Sequence, residues 1–462
     1  MHGMRHVYLF VGLVLSITFI SDRSNAQYTV NYQTNIISGV VSNWTGDYHV
    51  GGIRDVLLIR DRGVLGDNCG DVGINYGTSN NTVLVSDPGA VWSNSCLTIG
   101  EEGRGNSLVV SNGGQVISTG SGIGSDFGSN NTVLVTGAGS VWSNTASVSV
   151  GYYGRNNRLV ISDGGQVLGG SWAVSAMASG NAVVVSGAGS VFSNTFISGN
   201  LIVSNGSQVI SGRGTLFWAQ VSDPGSVWSV SGTLVFPYYG AMVISNGGLV
   251  VDGSAYLGQY ITDSNNTIRV VNGGTWQNGD LYVGHDGVSN SVTVSGGSVS
   301  ATNVILGGAS TMCNNVLELD SGTITVTNNS GTGVLDISRG TLIVNSGVLR
   351  ADTLVITNPC AQFIHTGGTL IVSNMVVDPN LFRITSITRQ SNDMLVTWMM
   401  GPGASNTLQV ATVGADGSYN ANGFSDIFVI TNNPSLGTIA NYLDVGAATN
   451  GVARYYRARL IP

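Results

Sequence analysis

The chain has 462 residues, of which only 9% are Asp, Glu, Lys or Arg, while 42% are apolar and 67 are glycine. A sequence so poor in charge and so rich in apolar residues has enough to bury, which argues against a disordered chain. All 17 basic residues are arginine, they form no basic run, and the net charge is −8, so no nucleic-acid partner is expected.

The N-terminal segment is typical of a Sec-type signal peptide. Arg5 supplies a basic start, residues 7–20 are apolar, and a small-residue cleavage signal ends at Ala26, directly before Gln27. An uncleaved membrane anchor is the alternative, although the apolar stretch is short for a membrane span. We therefore expect a signal peptide at 1–26, no stable membrane span after cleavage, and a location outside the cell or on its outer surface.

Residues 27–55 lack the pattern that follows and are predicted to form an irregular cap. From residue 56 to 377 one unit recurs, in which an apolar Val-rich strand is followed by a Gly-containing turn and a second strand. A Leu-x-Val-Gly motif between the copies adds a third strand. The apolar residue before the turn marks fourteen copies with a mean spacing of about 23.5 residues: Ile59, Val85, Val110, Val135, Ile161, Val185, Val203, Val221, Ile244, Val271, Val294, Leu319, Val344 and His365.

Three short strands per repeat cannot bury their apolar faces alone, but stacked turns bury a continuous core. The pattern therefore predicts an all-β fold, a parallel β-helix of about fourteen rungs. A β-propeller is the main competitor, but its blades need longer repeats. An asparagine column supports the solenoid, because one Asn lies four residues before the marker in seven repeats, namely Asn81, Asn106, Asn131, Asn157, Asn181, Asn290 and Asn315. Stacked asparagines bond one another along such an axis.

The repeat resembles a known family. The copies Asn-Asn-Thr-Val-Leu-Val-x-x-x-Gly-x-Val-Trp-Ser-Asn, from Asn80 and from Asn130, and the Leu-Val-x-Ser-x-Gly-Gly-Gln-Val copies are similar to the repeat associated with type V secretion passengers and PEP-CTERM proteins. This resemblance covers about residues 55–375 and implies an exported, surface or extracellular protein, with no activity attached. We expect neither an autotransporter β-barrel nor a PEP-CTERM anchor in the remaining residues.

Residues 378–462 leave the repeat and show short segments of alternating polarity separated by turn residues. This pattern predicts a small antiparallel β-sandwich.

Acid–base chemistry finds little support in the sequence. Asp87, Asp163 and Asp223 fall near one turn column, but Asp beside Pro-Gly or Gly-Gly is a routine turn former. Glu318 and Asp320 are close in sequence without a recurrent partner, and the histidines lack metal-ligand spacing. We expect no catalytic residues, no metal and no cofactor.

One set of aromatic residues follows the turn in alternate repeats: Trp92, Trp142, Phe192 and Trp228, with Ile117, Leu168 and Ile210 in the rungs between. Two interpretations remain open. The column is either a core stack of large and medium side chains, or an external stripe suited to sugar rings or another filament.

The four cysteines give one clear pairing. Cys69 and Cys96 each lie four residues before an equivalent glycine in successive repeats, so they are predicted to stack and form a disulfide, with two stacked thiols as the alternative. Cys313 and Cys360 lie two rungs apart at different offsets, and no comparable bridge is expected between them.

The function favoured by these observations is that of a secreted or cell-surface structural protein with an adhesin-like role and no enzyme activity. Extracellular glycans or cell-surface and matrix proteins are its expected partners. An extracellular carbohydrate-binding protein is the first alternative, and a polysaccharide lyase or hydrolase of the β-helix type is the second.

Overall fold

The structure is a computed structural model that describes residues 28, 30–170, 172–175, 179–308, 313–378, 382–400, 403–412, 423–433, 439–449 and 453–461. The expected cleavage site between Ala26 and Gln27 lies outside these residues. Every regular element in the described part of the chain is a β-strand. No helix in that part is long and apolar enough to cross a membrane.

Thirty-four strands form the solenoid. In chain order they are β1 (Thr34–Ser38), β2 (Val41–Asn43), β3 (Tyr48–Val50), β4 (Val56–Arg60), β5 (Val64–Gly66), β6 (Cys69–Val72), β7 (Thr82–Ser86), β8 (Val91–Ser93), β9 (Cys96–Ile99), β10 (Ser107–Ser111), β11 (Gln115–Ser118), β12 (Gly120–Ile123), β13 (Thr132–Thr136), β14 (Val141–Asn144), β15 (Ser147–Val150), β16 (Arg158–Ser162), β17 (Gln166–Leu168), β18 (Trp172–Ser175), β19 (Ala182–Ser186), β20 (Val191–Ser204), β21 (Gln208–Ser222), β22 (Val227–Phe236), β23 (Ala241–Ser245), β24 (Leu249–Leu257), β25 (Thr267–Val271), β26 (Thr275–Val283), β27 (Ser291–Ala301), β28 (Asn303–Leu306), β29 (Asn315–Val326), β30 (Val334–Ile337), β31 (Gly340–Val344), β32 (Val348–Ile356), β33 (Gln362–His365) and β34 (Thr369–Val377).

Each turn places one strand on each of three faces, and each strand pairs in parallel with its equivalent in the next turn, as β4 does with β7 and β7 with β10. The sequence folds this way because its strands alternate apolar residues that point inward with residues that point outward. In β7, for example, Val83 and Val85 are buried while Leu84 between them is partly exposed. β20 and β21 each continue around corners at which, in the earlier turns, one strand ends and another begins.

The register confirms the predicted parallel β-solenoid of about fourteen turns. The markers Ile59, Val85 and Val110 pair directly across successive rungs, as the repeat predicts. One marker is displaced by a residue, because Val270 and not Val271 pairs with Ile244. Residues predicted as an irregular cap instead form a full turn, β1 to β3, that pairs with β4 to β6.

Cys69 and Cys96 form a disulfide, in the pairing that the register predicts, with their Cα atoms 4.5 Å apart. The expectation for the other two cysteines is wrong, because Cys313 and Cys360 are also bonded, with Cα atoms 5.6 Å apart. They precede β29 and β33, and the strand between these, β31, is separated from β30 by residues 338–339 alone. Because this corner is short in the middle rung, the cysteines of the outer rungs can meet across it.

Non-reducing peptide mapping of the oxidised protein is expected to recover two links, Cys69 to Cys96 and Cys313 to Cys360. Replacing Cys313 and Cys360 together with serine is expected to lower the free energy of unfolding by about 2–4 kcal/mol, since the loop that they close gains freedom in the unfolded chain. Free thiols at both positions, or a link between Cys96 and Cys313, would contradict the register at this corner.

The C-terminal residues form two three-stranded antiparallel sheets, as expected for a small sandwich. Their strands are β35 (Arg383–Gln390), β36 (Asp393–Met399), β37 (Gly403–Thr412), β38 (Ser425–Asn433), β39 (Ile439–Asp444) and β40 (Arg454–Ile461). One sheet has the order β35-β36-β39 and the other β38-β37-β40. Val396, Trp398 and Leu408 are fully buried in their shared core.

Candidate functional site

The predicted aromatic column belongs to the core. Trp92, Trp142, Phe192 and Trp228 are all 0% exposed, so the alternative of an external stripe formed by these residues is wrong. The column alternates along the axis between aromatic and valine side chains, and a further tryptophan continues it: Trp92, Val116, Trp142, Val167, Phe192, Val209, Trp228, Val250 and Trp276.

The residues expected between the aromatics lie outside the core. Ile117, Leu168 and Ile210 follow the buried valines by one residue, and neighbouring residues of a strand face opposite sides of the sheet. They are therefore exposed. Ile210 also lines a groove of about 420 Å³ together with Ser229 and Val251.

Two buried tryptophans donate their indole N–H to a carboxylate of the preceding rung. Trp92 Nε1 lies 2.7 Å from Asp67 Oδ2, and Trp276 Nε1 lies 2.7 Å from Asp252 Oδ2. Burial raises the pKa of Asp67 and of Asp252 to about 7, against the opposing effect of these hydrogen bonds. The neighbouring carboxylates of Asp71 and Asp47 add to the rise of the pKa of Asp67, and Asp71 contributes more.

These carboxyl groups predict a pH-dependent stability. Their folded-state pKa lies above the unfolded value of about 3.9, so the folded protein binds the proton more tightly. The free energy of unfolding should therefore fall as the pH rises from about 4 to 7 and then level off. Asp252→Asn keeps an acceptor for Trp276 but cannot ionise, and its thermal midpoint should fall less over this range than that of the wild type. Parallel profiles of variant and wild type would contradict this assignment.

The corner that precedes the first face contains a buried ladder of asparagine amides. The predicted column forms this ladder, and Asn266 is a further member. The sequence pattern did not include Asn266, because the marker of its repeat was placed at Val271 and not at Val270. All members are 0–1% exposed. They form two series: Asn81, Asn106, Asn131, Asn157 and Asn181, then Asn266, Asn290 and Asn315.

Asn131 shows the geometry of one step. Its Oδ1 accepts from the backbone N–H of Asn106 at 2.9 Å and from Asn106 Nδ2 at 3.1 Å. Its own Nδ2 donates to Asn157 Oδ1 at 3.1 Å and to the carbonyl oxygens of Gly100 and Gly103 at 3.2 and 3.1 Å. The ladder therefore holds the backbone of the loop that crosses this corner in the preceding rung.

Several of these loops begin with a glycine, which two constraints require. Gly100 and Gly151 have φ values of +66° and +67°, which side-chain-bearing residues rarely adopt. A Cβ on either would also collide with the ladder amide of Asn131 or Asn181. Glycine and asparagine thus fix the start of the loop together, and the residues after the glycine are directed toward solvent.

These loops, and the segment of β21 that carries Trp218 beside the corner, present an exposed row of aromatic side chains, which we call the aromatic edge. In the part of the chain that the structure describes, ten Phe, Tyr or Trp side chains are exposed, and nine lie at or beside this corner. The tenth, Tyr455, belongs to the C-terminal sheets. The aromatic edge consists of Tyr32, Tyr76, Phe127, Tyr152, Tyr153, Trp218, Tyr238, Tyr239 and Tyr260.

Several backbone contacts place these loops on one line. Short parallel bridges connect successive loops at Ile53, Ser79, Arg104, Ser129 and Arg155. Backbone hydrogen bonds also join one loop to the next along the corner. The N–H of Asn130 donates to Arg155 O at 3.0 Å, and the N–H of Tyr239 donates to Ser264 O at 2.9 Å. The loops from Ile53 to Arg155 therefore lie on one line, and the loops that contain Tyr239 and Ser264 repeat the same contact further along the corner.

No family model, curated protein or solved structure matches this chain. A depression of about 200 Å³ lies on the aromatic edge, lined by Tyr76, Thr78, Glu102 and Arg104. It places an exposed ring, a hydroxyl, a carboxylate and a guanidinium around one small volume.

Polar side chains form two further clusters in the described part of the solenoid. Asp47, His49 and Asp71 bring one possible ligand atom each to within 4.8 Å of one another, and His49 Nδ1 lies 2.9 Å from Asp71 Oδ2. Sequence spacing did not reveal this group, because His49 and Asp71 come together only through the pairing of β3 with β6. Burial raises the pKa of Asp71, and the nearby His49 opposes the rise.

The carboxylates singled out in the sequence have structural surroundings. Asp87, Asp163 and Asp223 have φ values of 80°, 52° and 76°, the left-handed conformation of a tight turn. Glu318 and Asp320 both face outward from β29 and share one hydrogen-bond donor in the next rung. Asn345 Nδ2 lies 3.2 Å from Glu318 Oε1 and 2.9 Å from Asp320 Oδ1. Burial raises the pKa of Glu318, and Asp320 adds to the rise.

Proposed function

We propose that the chain is an exported structural protein with an adhesin-like role, which works as a rod outside the cell and contacts its partner through the aromatic edge. The observation that carries this proposal is the segregation of the exposed aromatic residues to one corner. Clustered exposed aromatic side chains are typical of interaction surfaces, because each ring supplies a large contact area at low entropic cost.

Two further features support the role of a rod that acts outside the cell. Two disulfides join four cysteines, and disulfides persist in oxidising compartments such as the periplasm or the extracellular space. The apolar segment at 7–20 supplies the export signal that such a location requires. The repeat resemblance to type V secretion and PEP-CTERM proteins is in keeping with this location.

The proposed role needs no catalysis. Asp87, Asp163 and Asp223 are turn residues, and Glu318 and Asp320 share a bond to Asn345. Purified protein incubated with neutral and acidic polysaccharides should leave their chain lengths unchanged. Shortening of a polysaccharide that Glu318→Gln abolishes would instead identify a hydrolase or lyase.

Fractionation of cells that express the full chain tests the proposal. The mature protein should begin at Gln27 and be accessible to protease added outside the cell or released into the medium. A variant that lacks edge aromatics should still be exported but should bind its target surface less. Retention of the full chain inside the cell, or an exported form that still carries Met1, would contradict the proposal.

A carbohydrate-binding protein is the second candidate, and a specific observation favours it. The aromatic edge has the combination of exposed rings and polar neighbours that the buried tryptophan column cannot supply. The chemistry of this edge decides which carbohydrates fit.

A further inference from the structure

We infer that the aromatic edge binds a neutral, linear polysaccharide. This inference rests on the proposed function and names its partner class. It begins with exposure, because Tyr76, Phe127 and Tyr239 are 83%, 75% and 72% exposed. Large apolar side chains in water lower solubility, so a cluster of them at one corner indicates a ligand.

The shape of the edge favours a polymer. It follows the corner of a rod, so it is long and narrow, and loops repeat along it at the rung spacing of ~4.8 Å. A stable contact with a globular protein needs a broad patch of about 800 Å² on each partner. A linear chain can instead follow the row. Tyr76 and Phe127 are two rungs apart, ~10 Å, which is comparable to one disaccharide of an extended polysaccharide.

The chemistry of the loops suits sugar rings. Aromatic faces pack against the C–H faces of pyranose rings, while hydroxyl groups need hydrogen-bond partners at the rim. Side chains that can donate and accept line the same corner, among them Ser79, Asn80, Asn130 and Asn156. Tyrosine, serine, asparagine and glycine together form the composition that proteins use for adaptable recognition surfaces.

The charge of the edge selects a neutral polymer. In the loops of the N-terminal half, the carboxylates of Glu101, Glu102 and Asp126 accompany the guanidinium groups of three arginines, Arg54, Arg104 and Arg155. The formal charges of these six solvent-facing groups cancel, and Asp55 in the same row of loops is buried, so the exposed side chains here offer no field of one sign to attract an acidic or a basic chain. These groups remain available as hydrogen-bond donors and acceptors to sugar hydroxyls.

The ladder makes the edge ready to bind. Asn131 and its equivalents hold the loop carbonyls in place before any ligand arrives. A surface that is already ordered loses little conformational entropy on binding, so weak contacts repeated along the rod can add up. The depression between Tyr76 and Arg104, about 200 Å³, offers one place for a single sugar unit.

Affinity electrophoresis of the mature, disulfide-bonded protein tests this inference. The neutral polymers are soluble β-glucan, galactomannan and dextran, and the acidic ones are alginate and hyaluronan. We expect at least one neutral polymer to retard the protein and the acidic polymers to retard it less. The triple variant Tyr76→Ala, Phe127→Ala, Tyr153→Ala should weaken retardation about tenfold or more, while Tyr76→Phe and Tyr153→Phe should keep most of it.

A matched control uses the other exposed apolar column. Ile117→Ala, Leu168→Ala and Ile210→Ala remove exposed apolar side chains from another face of the solenoid and should leave binding unchanged. Thermal unfolding of both triple variants should match the wild type, which separates loss of binding from loss of fold. Equal loss in both triple variants, stronger binding of the acidic polymers, or no binding of any neutral polymer would overturn the inference. If the exported protein still used its edge to adhere to a protein surface, the proposed function would stand without the polysaccharide.

Discussion

Replacing Asn131 with alanine is expected to lower the free energy of unfolding by about 3 kcal/mol or more, because a buried donor without a partner costs about 1–3 kcal/mol. The substitution leaves the backbone N–H and the Nδ2 group of Asn106 without an acceptor. It also removes the donor that holds Gly100 O and Gly103 O. Turns of a solenoid can unfold separately, so hydrogen exchange at residues 100–106 should report the loss alongside a lower thermal midpoint.

A nearly isosteric variant sharpens this test. Asn131→Asp places a carboxylate oxygen against three carbonyl-type oxygens, so it should be destabilised at neutral pH and partly recover in acid, where the carboxyl group can donate a proton. Asn329→Ala is the control, because Asn329 is exposed and should tolerate the change within about 0.5 kcal/mol. Equal stability of the Asn131 and Asn329 variants would refute a ladder that supports the corner.

Trp142→Ala is expected to cost about 3–5 kcal/mol, the usual range for an aromatic side chain removed from a packed core. Trp142 is 0% exposed, and its Nε1 donates to Ser118 Oγ at 3.0 Å. Its partners along the axis are the smaller Val116 and Val167, which cannot fill the space that it leaves. Chemical denaturation followed by circular dichroism measures the change.

Ile117→Ala provides the comparison for Trp142, because the sequence pattern placed both residues in one column. Ile117 is 42% exposed, so its truncation should cost less than about 1 kcal/mol. Similar losses in the two variants would mean that the side chains of this face are not divided between core and surface as described.

The repeat made most of the fold predictable. Spacing alone placed markers such as Val85 and Val110 in register, since identical turns must stack to bury their apolar strands. The same logic gave the asparagine column and paired Cys69 with Cys96. It failed where the repeat is uneven. The Cys313–Cys360 disulfide depends on a corner that one rung crosses with only two residues, which an average spacing cannot show.

The candidate site was harder to predict for a related reason. The tryptophans repeat at a fixed offset from the marker, which made them candidates for a binding stripe. A fixed offset within a strand is, however, as typical of the buried face as of the exposed one. Tyr76, Phe127 and Tyr153 lie in loops of different lengths and share no single offset from a marker. The sequence feature that they share is their position between the glycine after the third strand of one repeat and the ladder asparagine of the next repeat.

Hydroxyl-radical footprinting of the folded, mature protein reports which aromatic side chains are in contact with water. We expect rapid oxidation of Tyr76, Phe127 and Tyr239, and protection of Trp142 and Trp228 until the protein unfolds. Oxidation of the two tryptophans at rates similar to those of the edge tyrosines would contradict an aromatic edge built on a solenoid with an aromatic core.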